Sequence, residues 1–316
     1  MKSKNINNGM RTLTSVLCTL LSVLCTLLSV LFISCEQQEI EPSGSTKDTP
    51  LAIASAGVAE LTTRATINND RLEGGSIGVY VYSTTGDSYT GDNIKWTYRN
   101  GFWELDDQTV VLFENNGEKQ QIAAYYPYAE PTEGKVQITL PEAYGDDYDN
   151  YDYLYGEYAP LTSNPAAIKM KHLMAKVMVN VTTGTDIDAW DGIKSVELVD
   201  VPCTADWTLP GATLGEYGTN TNIALYGNGL TYCGYALPSE AEALALRITT
   251  ESGRLFTATA SLDNIDTINK TEVLSSGIHY TISVKVGKDK VTIEQVSMGD
   301  FDSPFGDGWS DEEEIK

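Results

Sequence analysis

Apolar side chains alternate with polar or small ones along most of the chain after residue 60. Ile77, Val79 and Val81 would lie on one face of a strand, and Tyr80 and Tyr82 on the other. A period of two is typical of a strand with two different faces, whereas a helix repeats every ~3.6 residues. The same pattern predicts further strands at 110–113, 121–126, 136–140, 168–181, 195–199, 222–226, 244–248 and 255–258.

Turn-forming residues separate these strands, as antiparallel hairpins require. The chain also predicts a closing hairpin, with strands at 279–286 and 291–294. Many short strands at this spacing indicate an all-β fold built from antiparallel sandwiches. Because the strands are too many for one small sandwich, we expect two domains in tandem, at 61–184 and 185–316, the second with an acidic tail. The strand at 168–181 could belong to either sheet.

The N-terminal segment has the layout of an export signal. Three basic residues precede an uncharged apolar run at 13–33, and Cys35 follows the small residue Ser34. We therefore predict a lipoprotein signal peptide at 1–34, with a lipid attached to Cys35, and a flexible linker at 35–60. A permanent transmembrane helix is the alternative, because about 20 apolar residues can span a bilayer. No basic stop-transfer cluster follows the run.

The chain is strongly acidic, with 44 Asp and Glu against 21 Lys and Arg and a formal charge of −23. Such a surface repels phosphates and anionic lipid head groups, so we expect no nucleic-acid partner and membrane contact through the lipid anchor only. After cleavage the cysteines would be Cys35, Cys203 and Cys233, and the last two could form a disulfide. Without a dense cysteine framework, folding must rest on core burial.

Motifs of the common enzyme classes are absent from the sequence. The chain has two histidines, His172 and His279, and lacks the H-E-x-x-H, G-x-S-x-G and G-x-x-x-x-G-K patterns. Both histidines fall on predicted strands, so we expect structural roles for them. We predict no catalytic residue, no metal site and no cofactor. A carboxylate pair for sugar hydrolysis is set by the fold, which leaves a secreted hydrolase as a further alternative.

Two groups of residues could suggest ligands. The acidic tyrosine stretch at 146–153 lacks the alternating acidic positions of a calcium-binding EF-hand loop, so we interpret it as a solvated turn. The tryptophans could stack on glycans, but in strand-rich chains we expect them in the core. They are Trp96, Trp103, Trp190, Trp207 and Trp309.

Several stretches, taken in order, resemble the fimbrillin family, the type V pilin subunits that certain Gram-negative anaerobes export as lipoproteins. The resemblance covers about residues 60–290 in addition to Cys35, and it rests on the ordered set rather than on one motif. The stretches are Thr62-Thr63-Arg64-Ala65-Thr66, Ile77-Gly78-Val79-Tyr80-Val81-Tyr82, Ala123-Ala124-Tyr125-Tyr126-Pro127-Tyr128, Asp152-Tyr153-Leu154-Tyr155-Gly156, Met170-Lys171-His172-Leu173-Met174-Ala175-Lys176-Val177 and Ser276-Gly277-Ile278-His279-Tyr280.

The resemblance implies two transthyretin-like sandwiches and assembly into a surface fimbria. It implies a lipidated precursor at the cell outer membrane, which a trypsin-like protease cuts between Arg64 and Ala65, with Arg71 in reserve. The removed first strand would include 51–54 or 58–61, and a neighbouring subunit would donate a strand from its C-terminal region. The tail after Val296 departs from the alternation that such a donor needs.

Two other interpretations stay open. If Arg64 is not cut, Cys35 remains lipidated and the chain would be an anchor, tip or accessory subunit. The protein could instead be a lipid-anchored surface glycan-binding protein that feeds an uptake system. Under the fimbrial hypothesis the partners are other subunits, in a homo- or hetero-polymer, the processing protease, and host proteins or glycans.

Overall fold

The computed structural model describes residues 48–59, 69–106, 108–115, 119–184, 192–262, 273–299 and 301. These residues contain 23 strands and two short 3-10 helices, which confirms the predicted all-β class. The strands of the first half are β1 (Thr49–Pro50), β2 (Ile53–Ala59), β3 (Asn69–Arg71), β4 (Ser76–Ser83), β5 (Gly91–Arg99), β6 (Phe102–Leu105), β7 (Leu112–Phe113), β8 (Gln120–Tyr126), β9 (Lys135–Thr139), β10 (Leu154–Tyr155), β11 (Ala159–Pro160) and β12 (Ala166–His172).

The second half continues the all-β pattern, and the predicted closing hairpin is confirmed as β22 and β23. The 3-10 helices are Asp87–Tyr89 and Tyr148–Tyr151. The remaining strands are β13 (Ala175–Thr183), β14 (Ile193–Pro202), β15 (Thr204–Thr208), β16 (Thr213–Gly215), β17 (Asn220–Ala224), β18 (Tyr226–Asn228), β19 (Thr231–Ala236), β20 (Ala243–Thr250), β21 (Leu255–Ser261), β22 (His279–Val286) and β23 (Val291–Gly299).

A nine-stranded sheet dominates the first half. Its order is β3-β2-β12-β10-β8-β4-β5-β6, with β11 beside β8. The ladder between β2 and β12 is parallel, and the other ladders of this sheet are antiparallel. Because β2 also contacts β6 near the opposite end, the sheet curls around a core. We call it the first core; it contains Leu51, Ile53, Ala56, Val58, Ile77, Val79, Val81, Ile94, Trp96, Trp103, Val111, Phe113, Ile122, Ala124, Leu154, Leu161, Ala166, Ile168 and Met170.

The other sheets belong mainly to the second half. One has five strands in the order β18-β19-β13-β22-β23, and another has four in the order β17-β14-β20-β21. A three-stranded sheet, β16-β15-β9, joins the two halves, since Ile138 of β9 pairs with Ala205 of β15. A short ladder links β1 to β7.

A second core lies between these sheets and the outer face of the nine-stranded sheet. Tyr80 and Tyr125 point into it, while Val79 points into the first core, so the nine-stranded sheet is covered on both faces. The ring edge of Tyr125 meets Trp207 of β15, with centroids 5.4 Å apart. A Cβ on Gly78 would lie 2.0 Å from the Tyr125 ring, so the glycine lets this aromatic contact form.

The prediction of one continuous strand at 168–181 is wrong. It is two strands, β12 and β13, which belong to different sheets. Leu173 and Met174 lie between them, and both are fully buried. The chain therefore changes sheets inside an uninterrupted apolar stretch, where the alternation gives no sign of the break. The division into two domains near Gly184 stays a prediction.

The solvated turn predicted at 146–153 is also wrong in part. Tyr148 is buried, and Tyr151 and Tyr153 pack against the second core. The Tyr148 ring stacks on Tyr226, with centroids 5.8 Å apart, and burial raises its pKa to about 12. Asp146, Asp147 and Asp149 are exposed, whereas Asp152 is half-buried and pairs with His172. The three exposed aspartates are why composition alone indicates a solvated turn.

Candidate functional site

The predicted lipidation and processing residues lie outside the residues that the structure describes. These are Cys35, Arg64 and Ala65. In the sequence, Arg64 lies between β2 and β3, and the reserve residue Arg71 ends β3. The candidate site is therefore the strand that precedes the predicted cut, together with the groove that this strand fills.

Leu51 and β2 fill the first core. The side chains of Leu51, Ile53, Ala56 and Val58 are buried, at 6%, 6%, 1% and 9% exposure. Along the parallel ladder, Ile53 pairs with Ala166 of β12 and Val58 with Met170; between them the register shifts by one residue, which leaves Ala54 as a bulge. The bulge explains why the inward positions change phase between Ile53 and Ala56.

The last strand in the described part of the chain has a different setting. β23 lies at the edge of the five-stranded sheet, where its ladder partner is β22. Its ladder also shifts register by one residue, which leaves Glu294 as a bulge. The side chains that pack against the second core are only partly buried; they are Val291, Ile293, Val296 and Met298.

Phe301 follows β23 and is buried. Its ring stacks on His172, the last residue of β12, with centroids 3.6 Å apart, and lies 5.9 Å from the ring of Tyr235. The ammonium of Lys176 lies 5.8 Å from the centroid of the same ring. His172 Nδ1 is 2.9 Å from Asp152 Oδ1. Phe301, just beyond β23, is thus packed against the end of β12, the strand that pairs with β2.

Other predicted residues have structural settings. His172 and His279 are buried, and so are Trp96, Trp103 and Trp207, which confirms the core interpretation for these three tryptophans. Trp190 and Trp309 lie outside the described residues.

Cys203 and Cys233, for which the sequence left a disulfide open, are both free cysteines. Burial raises the pKa of the Cys233 thiol to about 11, whereas the Cys203 thiol contacts the carbonyl oxygen of Thr219 at 3.6 Å. The two residues lie in different places: Cys233 is in β19 and Cys203 is between β14 and β15.

Within the described ranges, no three His, Cys, Asp or Glu side chains converge in a way that could hold a metal ion. The same part of the chain has no helix with the length and apolar character to cross a bilayer.

Sequence reasoning missed two features of the site. It judged the C-terminal region by the residues after Val296 and so overlooked that β23 repeats the inward spacing of β2. It also gave no role to Asn164, whose side chain contacts Thr49, Pro50 and Ala52, just before β2 begins. The first feature could be read from the sequence, as apolar residues spaced i, i+2, i+5 and i+7 in both 51–58 and 291–298. The second needed the structure.

The fold is an assembly of β-sheets in which β2 completes the first core. Two solved structures, each named a "putative cell adhesion protein", share the fold. The one from Bacteroides uniformis is 18% identical, with a TM-score of 0.60 over 80% of this chain and 99% of that one. The one from Bacteroides ovatus is 16% identical, with a TM-score of 0.59 over 81% and 98%. Among curated protein sequences, none matches this chain.

A family profile described as Fimbrillin-like matches residues 63–300, which is well over half of the chain. The chain therefore belongs to the fimbrillin-like family. Membership assigns it to the structural and adhesive, non-enzymatic subunits of fimbriae at the cell surface. The resemblance noted in the sequence is confirmed.

Proposed function

We propose that this chain is a fimbrial subunit that is exported as a lipidated precursor and assembles by strand exchange. A lipid on Cys35 holds the precursor at the outer membrane until a trypsin-like protease cuts between Arg64 and Ala65. The segment with β1 and β2 then leaves, and a strand from another subunit takes its place. In this proposal the chain keeps two transthyretin-like sandwiches, divided near Gly184, and its adhesion ligands are host proteins or glycans.

The position of β2 supports this proposal. The strand precedes Arg64 in sequence, yet it contributes four buried side chains, counting Leu51, to the first core. Its removal would leave one edge of β12 without a ladder partner and open an apolar groove. Unpaired strand edges next to an apolar groove are templates for a strand from another chain.

The observation that carries the proposal is a match between the segments 51–58 and 291–298. The inward residues of β2 and β23 have the same spacing, at i, i+2, i+5 and i+7, and the bulge residue is i+3 in both strands. β23 therefore has the shape and apolar pattern to fill the groove of β2. The two sets are Leu51, Ile53, Ala56 and Val58, and Val291, Ile293, Val296 and Met298.

The match fixes a register for the exchange. A donor β23 that runs in the direction of β2 would place Ile293 opposite Ala166 and Met298 opposite Met170. The largest change in volume falls at Ala56, which Val296 would replace. Ala56 is 1% exposed, so the groove must widen slightly there to accept the larger side chain.

A second candidate is an anchor, tip or accessory subunit that keeps its lipid. The tail favours this role, because Pro304, Gly306 and Gly308 and an acidic run at 311–314 could not extend a donor strand. The third candidate, a glycan-binding lipoprotein, loses one argument, since the three described tryptophans are buried rather than available for stacking.

The decisive experiment determines the mass and the N-terminal residue of protein recovered from the cell surface. A chain that begins at Ala65 and carries no lipid supports the proposal, and a lipidated chain that begins at Cys35 in assembled fimbriae contradicts it. Arg64→Ala should abolish the polymer ladders that resist mild denaturant. Arg71→Ala is the matched variant, and loss of ladders there alone would move the cut to the reserve site.

A further inference from the structure

The side chain of Asn164 contacts the chain where it enters β2. Asn164 lies in the loop between β11 and β12. Its Nδ2 donates hydrogen bonds to the carbonyl oxygen of Pro50 at 2.9 Å and to Thr49 Oγ1 at 3.0 Å. Its Oδ1 accepts a hydrogen bond from the backbone N–H of Ala52 at 2.8 Å. One side chain therefore contacts three residues of the segment 49–52, just before β2 begins.

The contacts resemble those of a neighbouring strand. A carboxamide offers an N–H donor and a C=O acceptor, as a peptide group does. The ladder with β12 continues at once, because the N–H of Ala166 donates to the carbonyl oxygen of Ala52 at 2.8 Å. On the opposite side, the N–H of Leu51 donates to the carbonyl oxygen of Val111, also at 2.8 Å. Asn164 thus extends the edge of β12 beyond the point where that strand starts.

We propose that Asn164 is a backbone clamp that sets the register of whichever strand occupies the groove of the first core. Two of its three partners are peptide groups, so the clamp does not depend on the side chains of the strand that it holds. It therefore fits the chain's own β2 and, resting on the strand exchange proposed above, the β23 of a second copy of this chain.

The matched register identifies the donor's contacts. The peptide groups that correspond to Pro50 and Ala52 are the carbonyl of Lys290 and the N–H of Thr292. Asp289 corresponds to Thr49, and its carboxylate would accept the hydrogen bond that Thr49 Oγ1 accepts from Asn164 Nδ2. A carboxylate accepts a stronger hydrogen bond than a hydroxyl does, so the donor would be gripped at least as firmly as β2.

The clamp on β2 can be tested in the intact chain by hydrogen exchange. In Asn164→Ala, the amide of Ala52 should exchange about fivefold faster, which corresponds to the loss of one hydrogen bond at ~1 kcal/mol. Asn222→Ala is the matched control, since Asn222 Oδ1 accepts from the N–H of Asp200 at 3.2 Å. The control should leave Ala52 unchanged. Equal exchange at Ala52 in wild type and Asn164→Ala overturns the clamp.

A second variant separates a clamp from a general loop-fixing role. An aspartate at position 164 accepts from Ala52 but repels the Pro50 carbonyl when ionised; when protonated it again offers a donor and an acceptor. The exchange defect of Asn164→Asp should therefore shrink as the pH falls below about 4, after correction for intrinsic rates, whereas that of Asn164→Ala should not. A defect in Asn164→Asp that does not change with pH contradicts the backbone-mimicking contacts.

A separate experiment tests whether Asn164 also holds the β23 strand of a second copy, which is the donor half of the proposal. A specific protease sequence placed within 60–68 allows the chain to be nicked with β2 still bound, and a fluorescent peptide of residues 288–301 is then added. Wild type should incorporate the peptide about tenfold faster than Asn164→Ala. Equal incorporation overturns the donor half of the clamp. If neither protein incorporates the peptide, strand exchange itself fails, and the clamp on β2 is still decided by the Ala52 amide.

Discussion

The strands β2 and β23 have the same inward spacing but occupy different positions in their sheets. β2 lies between β12 and β3, and its inward side chains are buried in the first core. β23 lies at a sheet edge, and the corresponding side chains are only partly buried. The sequence pattern of a strand thus determines which groove it can fill, whereas its place in the sheet determines how readily it leaves.

One contact beyond the strand itself also works against the release of β23. Phe301, just beyond the strand, is 4% exposed and stacks on His172 and Tyr235. It fastens the end of an otherwise peripheral strand. The difference between β2 and β23 in how readily they leave their sheets should therefore be smallest at the C-terminal end of β23, and larger along the rest of the strand.

The largest effect should come from shortening the matched isoleucines. Ile53→Ala should lower the free energy of unfolding by about 3 kcal/mol, because it opens a cavity in the first core. Ile293→Ala should cost only about 1 kcal/mol, since that side chain is partly exposed and its surroundings can relax. Urea unfolding of both variants measures the difference. Equal losses would mean that β23 is as firmly built in as β2, which contradicts the comparison.

The next effect concerns the contact at Phe301. Phe301→Ala should raise the rate of amide exchange along the C-terminal part of β23 by about 30-fold, equivalent to ~2 kcal/mol of local opening. Exchange in β2 should not change. Phe102→Ala is the matched control, because Phe102 is 71% exposed and its loss should leave both strands as they are. An unchanged β23 in Phe301→Ala would show that the ladder to β22 and the packing along the strand hold it without Phe301.

High pH should destabilise the second core before the first, with a smaller effect than the two substitutions above. Burial raises the pKa of Tyr125 and of Tyr148 to about 12 in each case, and both belong to the second core. A raised pKa in the folded state contributes stability below the unfolded value, near 10, and that stability is lost as pH rises through 12. Between these values β23 should lose exchange protection before β2. Hydrogen exchange measured after brief alkaline incubation tests this order. If β23 and β2 lost their exchange protection at the same pH, the order would be contradicted.

The sequence predicted the all-β class, most strands and the closing hairpin, because alternation and turn residues act locally. It did not predict the break at Leu173 and Met174, since both residues are apolar and the change of sheet depends on distant partners. It placed the site next to Arg64 through a resemblance, but not the Asn164 clamp. That contact joins residues more than a hundred positions apart, and no local pattern encodes it.

The smallest effect should come from the bulge residue of β23. Glu294 pairs with Lys285, with Oε1 2.9 Å from Nζ, and both side chains are well exposed. Glu294→Ala should therefore change the free energy of unfolding by less than about 0.5 kcal/mol. It also gives β23 the alanine that β2 has at Ala54, so peptide incorporation into the nicked chain should change by less than about twofold.

Deleting Glu294 and Gln295 together from the same peptide is the matched control for that variant. Val296 would then follow Ile293 directly, so Val296 and Met298 would point to the opposite face of the strand from Val291 and Ile293. Incorporation should then be lost, although the peptide keeps all four apolar side chains. If the deletion peptide entered as well as the full one, apolar content rather than the bulged spacing would govern the groove, and the match between β2 and β23 would have no functional meaning.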